Sequence, residues 1–224
     1  MTEYPQLPLA SYIIFDFDGT IADSLAKAVE ICNRIAPEYK LRSITNEELK
    51  HCQNLPAKEV MKFLGISKLK LPFLVRRVQK ELRSQISTLP LNPGIKECLF
   101  NLKEMGYRLG IVTSNSTPNV EAYLQAHGII DAFEFIHSSR NLFGKHKVLR
   151  KVLKNYSINP EEVYYVGDEC RDIEAAHKCN IKMISVTWGF SSKKIIQSSH
   201  PEFIAEKAED ITTFIRFALQ QTGA

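Results

Sequence analysis

From Leu89 to the end of the chain, short apolar runs alternate with stretches of helical periodicity, and this alternation restricts the possible fold more than any other feature. The apolar runs predict strands at residues 108–113, 133–136, 163–166, 181–186 and 203–205. The stretches between them predict helices at residues 93–105, 118–127, 145–156, 172–179 and 211–220. Such an alternation is typical of a parallel sheet that helices cover on both faces.

A further strand is predicted near the N-terminus, where the apolar run at residues 12–15 ends abruptly in Asp16-Phe-Asp-Gly-Thr20. From Ala22 to Thr88 the pattern is helical instead, with apolar residues such as Leu74 and Leu82 on one face. We therefore expect an α/β fold, a Rossmann-like doubly wound parallel sheet with an inserted all-helical unit. The predicted core is 1–21 plus 89–224, and the predicted insertion is 22–88.

Composition and charge exclude several classes of protein. Of the 224 residues, 44% are hydrophobic and 24% are charged, which is ordinary for a globular protein. The net charge of +4 is spread along the chain rather than gathered in the basic stripe of a nucleic-acid-binding protein. The chain has no apolar stretch approaching the roughly 18 residues of a membrane span. Its first twelve residues lack the regions of a signal peptide.

The five cysteines are scattered and form no CxxC pair, which favours reduced thiols over a disulfide framework or a zinc site. We therefore expect a cytoplasmic protein that binds neither nucleic acid nor a membrane.

Polar side chains follow the predicted strands, at the edge where parallel sheets of this type bind their ligands. They are Asp16 and Asp18, Ser114 and Asn115, Asp168 and Glu169, and Lys145, which follows its strand after a short loop. Clustered carboxylates repel one another unless a cation neutralises them. Carboxylate oxygens on short loops suit Mg²⁺, which completes its coordination with water and substrate phosphate.

These segments resemble the four motifs of the haloacid dehalogenase superfamily, in the same order. The motifs are Asp16-x-Asp18-Gly-Thr20, Ser114, Lys145 and Gly167-Asp168-x-x-x-Asp172. The insertion at 22–88 resembles the α-helical cap of that superfamily. The segments Leu91-Asn-Pro-Gly94 and Thr187-Trp-Gly-Phe190 are similar to segments of its phosphoglycolate-phosphatase-like branch.

The resemblance implies a phosphatase that works through an aspartyl-phosphate. Asp16 is then the nucleophile that attacks phosphorus. Asp18 protonates the leaving alcohol and later deprotonates the water that hydrolyses the intermediate. Superfamily members that displace halide have a different residue at this second position, so phosphoryl transfer is favoured.

The resemblance also implies a metal site and a phosphate site. Mg²⁺ is held by the Asp16 carboxylate, the Asp18 backbone carbonyl and Asp168. The phosphate oxygens are held by the Ser114 hydroxyl, the Asn115 amide and the turn amides near Gly19 and Thr20.

Lys145 is implied to bridge Asp16 and a phosphoryl oxygen, and spacing favours it over Lys147. Asp172, with Glu169, is implied to orient Lys145 or a metal-bound water. In the cap, the segment from His51 to Lys58 joins two predicted helices where related caps reach the active site. We therefore expect Gln53 and Lys58 to contact the substrate.

The favoured function is Mg²⁺-dependent hydrolysis of a small phosphorylated metabolite, with 2-phosphoglycolate as the first candidate. The same four motifs would also serve a phosphoglucomutase-like phosphotransferase. A non-catalytic binding protein on this fold is disfavoured because Asp16, Asp18, Lys145 and Asp168 are all present. The sequence leaves open whether the chain acts as a monomer or a homodimer.

Overall fold

The computed structural model describes residues 12–139 and 143–222. Six parallel strands form one sheet in the order β3-β2-β1-β4-β5-β6. The strands are β1 (Tyr12–Phe15), β2 (Arg108–Thr113), β3 (Phe133–Ser138), β4 (Val163–Gly167), β5 (Lys182–Val186) and β6 (Phe203–Ala205). The predicted α/β class and doubly wound sheet are confirmed.

The helices lie between these strands and in the insertion. They are α1 (Leu25–Ile35), α2 (Asn46–Gln53), α3 (Ala57–Phe63), α4 (Leu71–Arg83), α5 (Ile95–Glu104), α6 (Thr117–Ala126), α7 (Lys145–Asn155), α8 (Cys170–His177), α9 (Lys193–Gln197) and α10 (Ala208–Thr222). Short 3₁₀ turns span Ala36–Tyr39, Ile86–Thr88, Ile130–Ala132 and Pro160–Glu162. Helix α10 begins earlier than the pattern predicts, because Asp210 accepts the backbone N–H groups of Glu206 and Lys207 and so caps the start of the helix.

The central strand β1 is buried along its whole length, and its side chains alternate between two apolar layers. Ile13 and Phe15 pack in the layer that includes helices α5, α6 and α10. Tyr12 and Ile14 pack in the layer that includes helices α7 and α8. Burial on both faces explains why this strand reads as a continuous apolar run.

The strand order places a topological switch point between β1 and β4. The chain builds outward from β1 to β2 and β3, then crosses to β4 and builds outward on the other side. At such a point the loops after the two neighbouring strands leave in opposite directions and open a crevice. Asp16 follows β1 and Asp168 follows β4, so both lie at this crevice.

Helices α1–α4 lie between β1 and α5, and two adjacent backbone segments connect them to the sheet. Ala22 and Leu91 form an antiparallel bridge, and the Asp23 N–H donates to Pro90 O at 3.0 Å. This pairing supports the division into a core, 1–21 plus 89–224, and a helical cap, 22–88. We keep these boundaries as a proposal.

The predicted absence of a signal peptide concerns mainly residues 1–11, which lie outside the described residues, as does that part of the proposed core. Within the described part of the chain, none of the helices combines the length and the apolar character needed to cross a membrane.

Candidate active site

Asp16 follows β1 directly and is 1% exposed. The Phe17 backbone N–H donates to Asp16 Oδ1 at 2.7 Å, and Lys145 Nζ donates to Asp16 Oδ2 at 2.7 Å. The Asp16 backbone N–H donates to Val166 O of β4 at 2.8 Å. The carboxylate is therefore held by both oxygens at the switch point.

The turn after β1 is built around Gly19, which has a φ of 74°. A Cβ at this position would overlap the Asp168 carboxylate. The Gly19 N–H donates to Ala22 O at 3.0 Å and the Thr20 N–H to Phe17 O at 3.3 Å. The Thr20 hydroxyl donates to Asp168 Oδ1 at 2.8 Å. In this structure these donors serve the turn and Asp168, and their binding of phosphate stays a prediction.

Asp168 follows β4 and is fully buried. Its Oδ2 atom accepts the backbone N–H of Phe190 at 2.7 Å. Gly189 lies so close that a Cβ there would also overlap the carboxylate. Burial, followed by the negative charges of Glu169 and other neighbouring carboxylates, raises the pKa of Asp168 well above its ordinary value.

Lys145 begins α7, and its side chain is 2% exposed. Its Nζ atom donates to Asp16 Oδ2 at 2.7 Å and to Asp172 Oδ1 at 2.5 Å. Burial works to lower the pKa of Lys145, but the charges of Asp16 and Asp172 outweigh it and raise that pKa. The other Asp172 oxygen accepts the Glu169 N–H at 3.2 Å. These contacts support the predicted orienting role of Asp172, which stays a prediction.

Seven ionisable side chains meet at the crevice, five carboxylates and two cations: Asp16, Asp18, Asp168, Glu169, Asp172, Lys145 and Arg171. The Asp16, Asp168 and Asp172 carboxylates are buried, with oxygens within 4.8 Å of one another. Burial, together with the charge of Asp16, raises the pKa of Asp172 to about 6 despite its contact with Lys145. Five carboxylates outnumber the two cations, and such a set of oxygen donors fits a hard divalent cation such as the predicted Mg²⁺.

The carboxylate of Asp18 is directed toward β2. Its Oδ2 atom accepts Asn115 Nδ2 at 2.9 Å. Burial and the negative charge of Asp16 raise the pKa of Asp18 to about 6. A carboxyl group with such a pKa can give up and take back a proton near neutral pH.

Two buried asparagines link Asp18 to helix α4 of the proposed cap. Asn119 Nδ2 donates to Asn115 Oδ1 at 3.1 Å and to the Gln79 backbone O at 3.0 Å. The Gln79 side chain donates from Nε2 to Ser114 O at 2.6 Å. Helix α4 is thus hydrogen-bonded to the loop after β2, and Asn115 of that loop donates to Asp18.

The two residues after β2 are both engaged by neighbouring side chains. The Ser114 Oγ atom accepts a hydrogen bond from Arg171 Nη1 at 3.2 Å, and Arg171 forms an ion pair with Glu169. The Asn115 N–H donates to Thr113 Oγ1 at 3.0 Å. The structure brings Ser114 and Asn115 to the site, and their contact with phosphate stays a prediction.

A cavity of about 320 Å³ lies between these groups and helices α1–α4. Its polar side chains come mainly from the core, and its apolar lining comes mainly from the helices of the insertion. Gln53 lines the cavity at the end of α2, and its Nε2 atom donates to Gly189 O at 3.2 Å. Gln53 therefore lies between the cavity and the loop after β5, and its contact with substrate stays a prediction.

Lys58 is exposed and does not line that cavity. It lines a groove of about 1100 Å³ with the basic residues Lys62, Lys68 and Arg76. It also lines a crevice of about 120 Å³ that Lys145 and Arg171 share. Lys58 thus approaches the site from its outer side, and its contact with substrate stays a prediction.

The family described as "Haloacid dehalogenase-like hydrolase" matches residues 13–186. The chain belongs to this family. The predicted membership of the haloacid dehalogenase superfamily is therefore confirmed, and so is the predicted enzyme class, a phosphatase-type hydrolase. The roles of the individual motif residues stay predictions.

Two similar proteins illustrate how far the likeness to haloacid dehalogenase-like hydrolases extends. A phosphoglycolate phosphatase from Synechococcus elongatus is 32% identical over 209 residues, which cover 93% of this chain and 99% of the relative. A solved structure, a predicted phosphatase from Clostridium acetobutylicum, matches with a TM-score of 0.79 at 21% identity. That match covers 93% of this chain and 99% of the other, and it shows the shared fold.

Three residues near the site of this haloacid dehalogenase-like hydrolase were missed by sequence reasoning. Arg171 carried a signal, because it is a charged residue inside the fourth motif, one position before Asp172. Asn119 and Gln79 carried none, because a polar residue on a helix is ordinarily exposed and only the packing of α4 against α6 gives them partners.

Proposed function

We propose that this enzyme is a Mg²⁺-dependent phosphatase that hydrolyses a small phosphate monoester through an aspartyl-phosphate on Asp16. The observation that carries the proposal is the Asp16 carboxylate itself, buried and held by Lys145 at 2.7 Å beside two further buried aspartates. A carboxylate fixed in this way loses little conformational freedom when it attacks phosphorus.

In the first step an Asp16 oxygen attacks phosphorus and the bond to the alcohol oxygen breaks. Lys145 lies beside the attacking carboxylate, where a cation favours the charge on a phosphoryl group. Lys145 is kept in this place by Asp172, at 2.5 Å. The Ser114 hydroxyl, with Asn115, binds phosphoryl oxygens in this proposal.

Asp18 supplies a proton to the leaving alcohol and then removes a proton from the water that attacks the aspartyl-phosphate. Its pKa of about 6 suits both halves of this cycle. The hydrogen bond from Asn115 Nδ2, at 2.9 Å, keeps the carboxyl group directed toward the cavity edge.

Asp16, Asp168 and the Asp18 backbone carbonyl would hold Mg²⁺. When bound, the ion neutralises charge that otherwise keeps an anionic nucleophile away from an anionic substrate. Asp168 is fixed for such a role by Thr20 and Phe190, which donate to its two oxygens.

The proposed substrate is 2-phosphoglycolate or a phosphate ester of similar size. The similar protein from Synechococcus elongatus carries the name phosphoglycolate phosphatase. A cavity of about 320 Å³ is at the small end of metabolite sites, which supports a compact leaving group. Gln53 and Lys58 would contact the substrate from the cap.

The test is release of inorganic phosphate from a panel of small phosphate esters, with Mg²⁺ and with EDTA, for wild type and Asp16→Asn. We expect release that needs Mg²⁺ and is lost in Asp16→Asn, with 2-phosphoglycolate among the best esters. Release that survives the substitution would refute Asp16 as the nucleophile. Conversion of a sugar phosphate to its isomer without release of free phosphate would instead support the phosphoglucomutase-like phosphotransferase.

We also propose that the enzyme works in the cytoplasm, as a monomer or a homodimer. All five cysteines are free, which is typical of proteins in a reducing compartment.

A further inference from the structure

The cavity beneath the insertion contains a single cationic side chain among the described residues that line it, and that side chain is Arg171. Asp18, Ser114 and Glu169, the ion-pair partner of Arg171, line the same cavity. Because Asp18 would protonate the leaving alcohol, the alcohol part of a substrate must extend into this space. Any negative charge on that alcohol would then face a mainly apolar roof, where an unpaired charge is costly.

Arg171 is held in a fixed position at the floor of the cavity. Its side chain is 11% exposed and is ion-paired with Glu169. Its Nη1 atom donates to Ser114 Oγ at 3.2 Å, and it lies in the first turn of α8, one residue before Asp172. The guanidinium is therefore oriented before any substrate enters, and less conformational entropy is lost when it binds an anion.

Two lysines near the crevice are less suited to binding an anionic group of the leaving alcohol. Lys145 is engaged by Asp16 and Asp172 and does not line the cavity. Lys58 is exposed and lines the outer groove and crevice. Of these cations, only Arg171 faces the space that the alcohol would occupy.

We propose that Arg171 is the specificity-determining residue of this enzyme and binds a carboxylate on the alcohol part of its substrate. The proposal rests on the proposed function, since it takes Asp18 and the cavity as the place of the leaving group. It defines the substrate class as compact phosphate esters of hydroxy acids. A carboxylate would add a charge-assisted contact to a guanidinium that Ser114 and Glu169 hold in place. A neutral alcohol of the same size offers only a weaker, uncharged hydrogen bond, so it is discriminated against.

Calorimetric binding in the Asp16→Asn background, with Mg²⁺ present, tests the proposal without turnover. Two probes of similar size are compared: 2-phosphoglycolate, which carries a carboxylate, and 2-hydroxyethyl phosphate, which carries a neutral hydroxyl. The variants are Arg171→Gln, Arg171→Lys and, as a matched control, Arg108→Gln. Arg108 lies at the start of β2, at the opposite edge of the sheet from the site.

We expect the parent to bind 2-phosphoglycolate more tightly than 2-hydroxyethyl phosphate. Arg171→Gln should weaken binding of 2-phosphoglycolate by roughly tenfold to hundredfold and change binding of the neutral ester by less than about threefold. Arg171→Lys should recover part of the loss, and Arg108→Gln should change neither affinity.

Three results would overturn the proposal. The parent could bind the two esters equally well, Arg171→Gln could weaken binding of both esters by the same factor, or Arg171→Gln could weaken binding of neither. The first of these needs no Arg171 variant and so holds even if Arg171→Gln fails to fold. Turnover by the wild type is scored separately. Binding that depends on Arg171, without release of phosphate from either ester, would refute the phosphatase proposal and leave the recognition of the carboxylate standing.

Discussion

At the residue scale, Asp168 depends on close packing from two glycines that lie far apart in the sequence. The Thr20 hydroxyl and the Phe190 N–H occupy its two oxygens. Gly19 and Gly189 approach it so closely that neither position has room for a Cβ. The orientation of this carboxylate is thus set by small residues as much as by hydrogen bonds.

Replacing Gly189 with Ala should displace the Asp168 carboxylate, because the new methyl group would overlap it. We expect the Mg²⁺ concentration for half-maximal rate to rise about tenfold, and overpacking to cost about 1–3 kcal/mol of stability. Both are measured, by Mg²⁺ titration of the rate and by thermal unfolding. Gly65→Ala is the control for the Mg²⁺ dependence. At a φ of 70° the new methyl group strains the backbone but meets open space, so stability should fall and the Mg²⁺ dependence should not change. An unchanged Mg²⁺ dependence in Gly189→Ala would contradict the packing argument.

The sequence predicted that Asp16, Asp168 and Lys145 meet, because parallel strands bring their carboxyl ends to one edge. It did not predict that Thr20 bonds to Asp168, which lies 148 positions further along the chain. Local pattern places a residue at a strand end but does not determine its partner, because that depends on side-chain packing between distant segments.

At the scale of elements, helix α4 is coupled through helix α6 to Asp18, the proposed acid. Gln79 donates to Ser114 O, and Asn119 bridges Gln79 O to Asn115, whose amide reaches Asp18. Each of these groups is hydrogen-bonded, and Asn115 and Asn119 are buried. The position of the proposed cap and the orientation of the Asp18 carboxyl group are therefore linked.

Some phosphate esters have a leaving group that must be protonated as it departs, and others do not. Asn119→Ala should slow the hydrolysis of the first kind more than that of the second. We expect a loss of roughly tenfold for 2-hydroxyethyl phosphate and a much smaller one for p-nitrophenyl phosphate, because protonation by Asp18 matters only for the former. The readout is the ratio of kcat/KM for the two esters.

The matched control for this ratio is Asn33→Ala. Among the described residues, the Asn33 side chain forms its hydrogen bonds with the backbone of Ile44, which also lies in the insertion. This substitution should lower stability and leave the ratio unchanged. An equal fall for both esters in Asn119→Ala would show that Asn119 serves the structure and not Asp18.

Most strands and helices of the core were predicted from the hydrophobic pattern of the sequence, since β1 and the strands around it are apolar on both faces. The short helix α9 was not predicted, because five residues give no helical period to detect. The link through Asn119 had no signal, since it requires two helices from different parts of the chain to pack together.

At the scale of the whole molecule, the charge of the site is opposite to that of the chain. The chain has a net charge of +4, whereas five carboxylates and two cations meet at the switch point. Burial and the neighbouring negative charges raise the pKa of Asp18 and of Asp172 to about 6. They also raise the pKa of Asp168 well above its ordinary value. Folding therefore concentrates negative charge where a divalent cation is proposed.

These raised pKa values predict how Mg²⁺ stabilises the fold at different pH. A carboxyl group whose pKa is higher in the folded state stabilises the fold at low pH and loses that contribution as pH rises through about 6. The proposed ligand Asp168 also has a raised pKa, and Mg²⁺ would bind its carboxylate in the ionised form. The stabilisation by Mg²⁺ should therefore be larger at pH 7.5 than at pH 5. With Mg²⁺ at about 100 times its Kd, thermal unfolding at pH 7.5 should shift up by roughly 5–10 °C.

The control for the metal effect is Asp168→Asn, which should lose most of the shift at pH 7.5. A shift as large at pH 5 as at pH 7.5, or one that survives Asp168→Asn, would contradict a metal bound by these carboxylates.

The most direct test of the central claim is to locate the phosphoryl group on the protein. Asp18→Asn is mixed with acetyl phosphate and Mg²⁺, quenched with acid and digested, and its peptides are analysed by mass spectrometry. Acetyl phosphate has a leaving group that needs no proton, whereas hydrolysis of the intermediate still needs the base at Asp18. The predicted result is one phosphoryl group on the Asp16 peptide, absent with EDTA. A phosphoryl group on another residue, or none with Mg²⁺ while phosphate is released, would contradict Asp16 as the nucleophile.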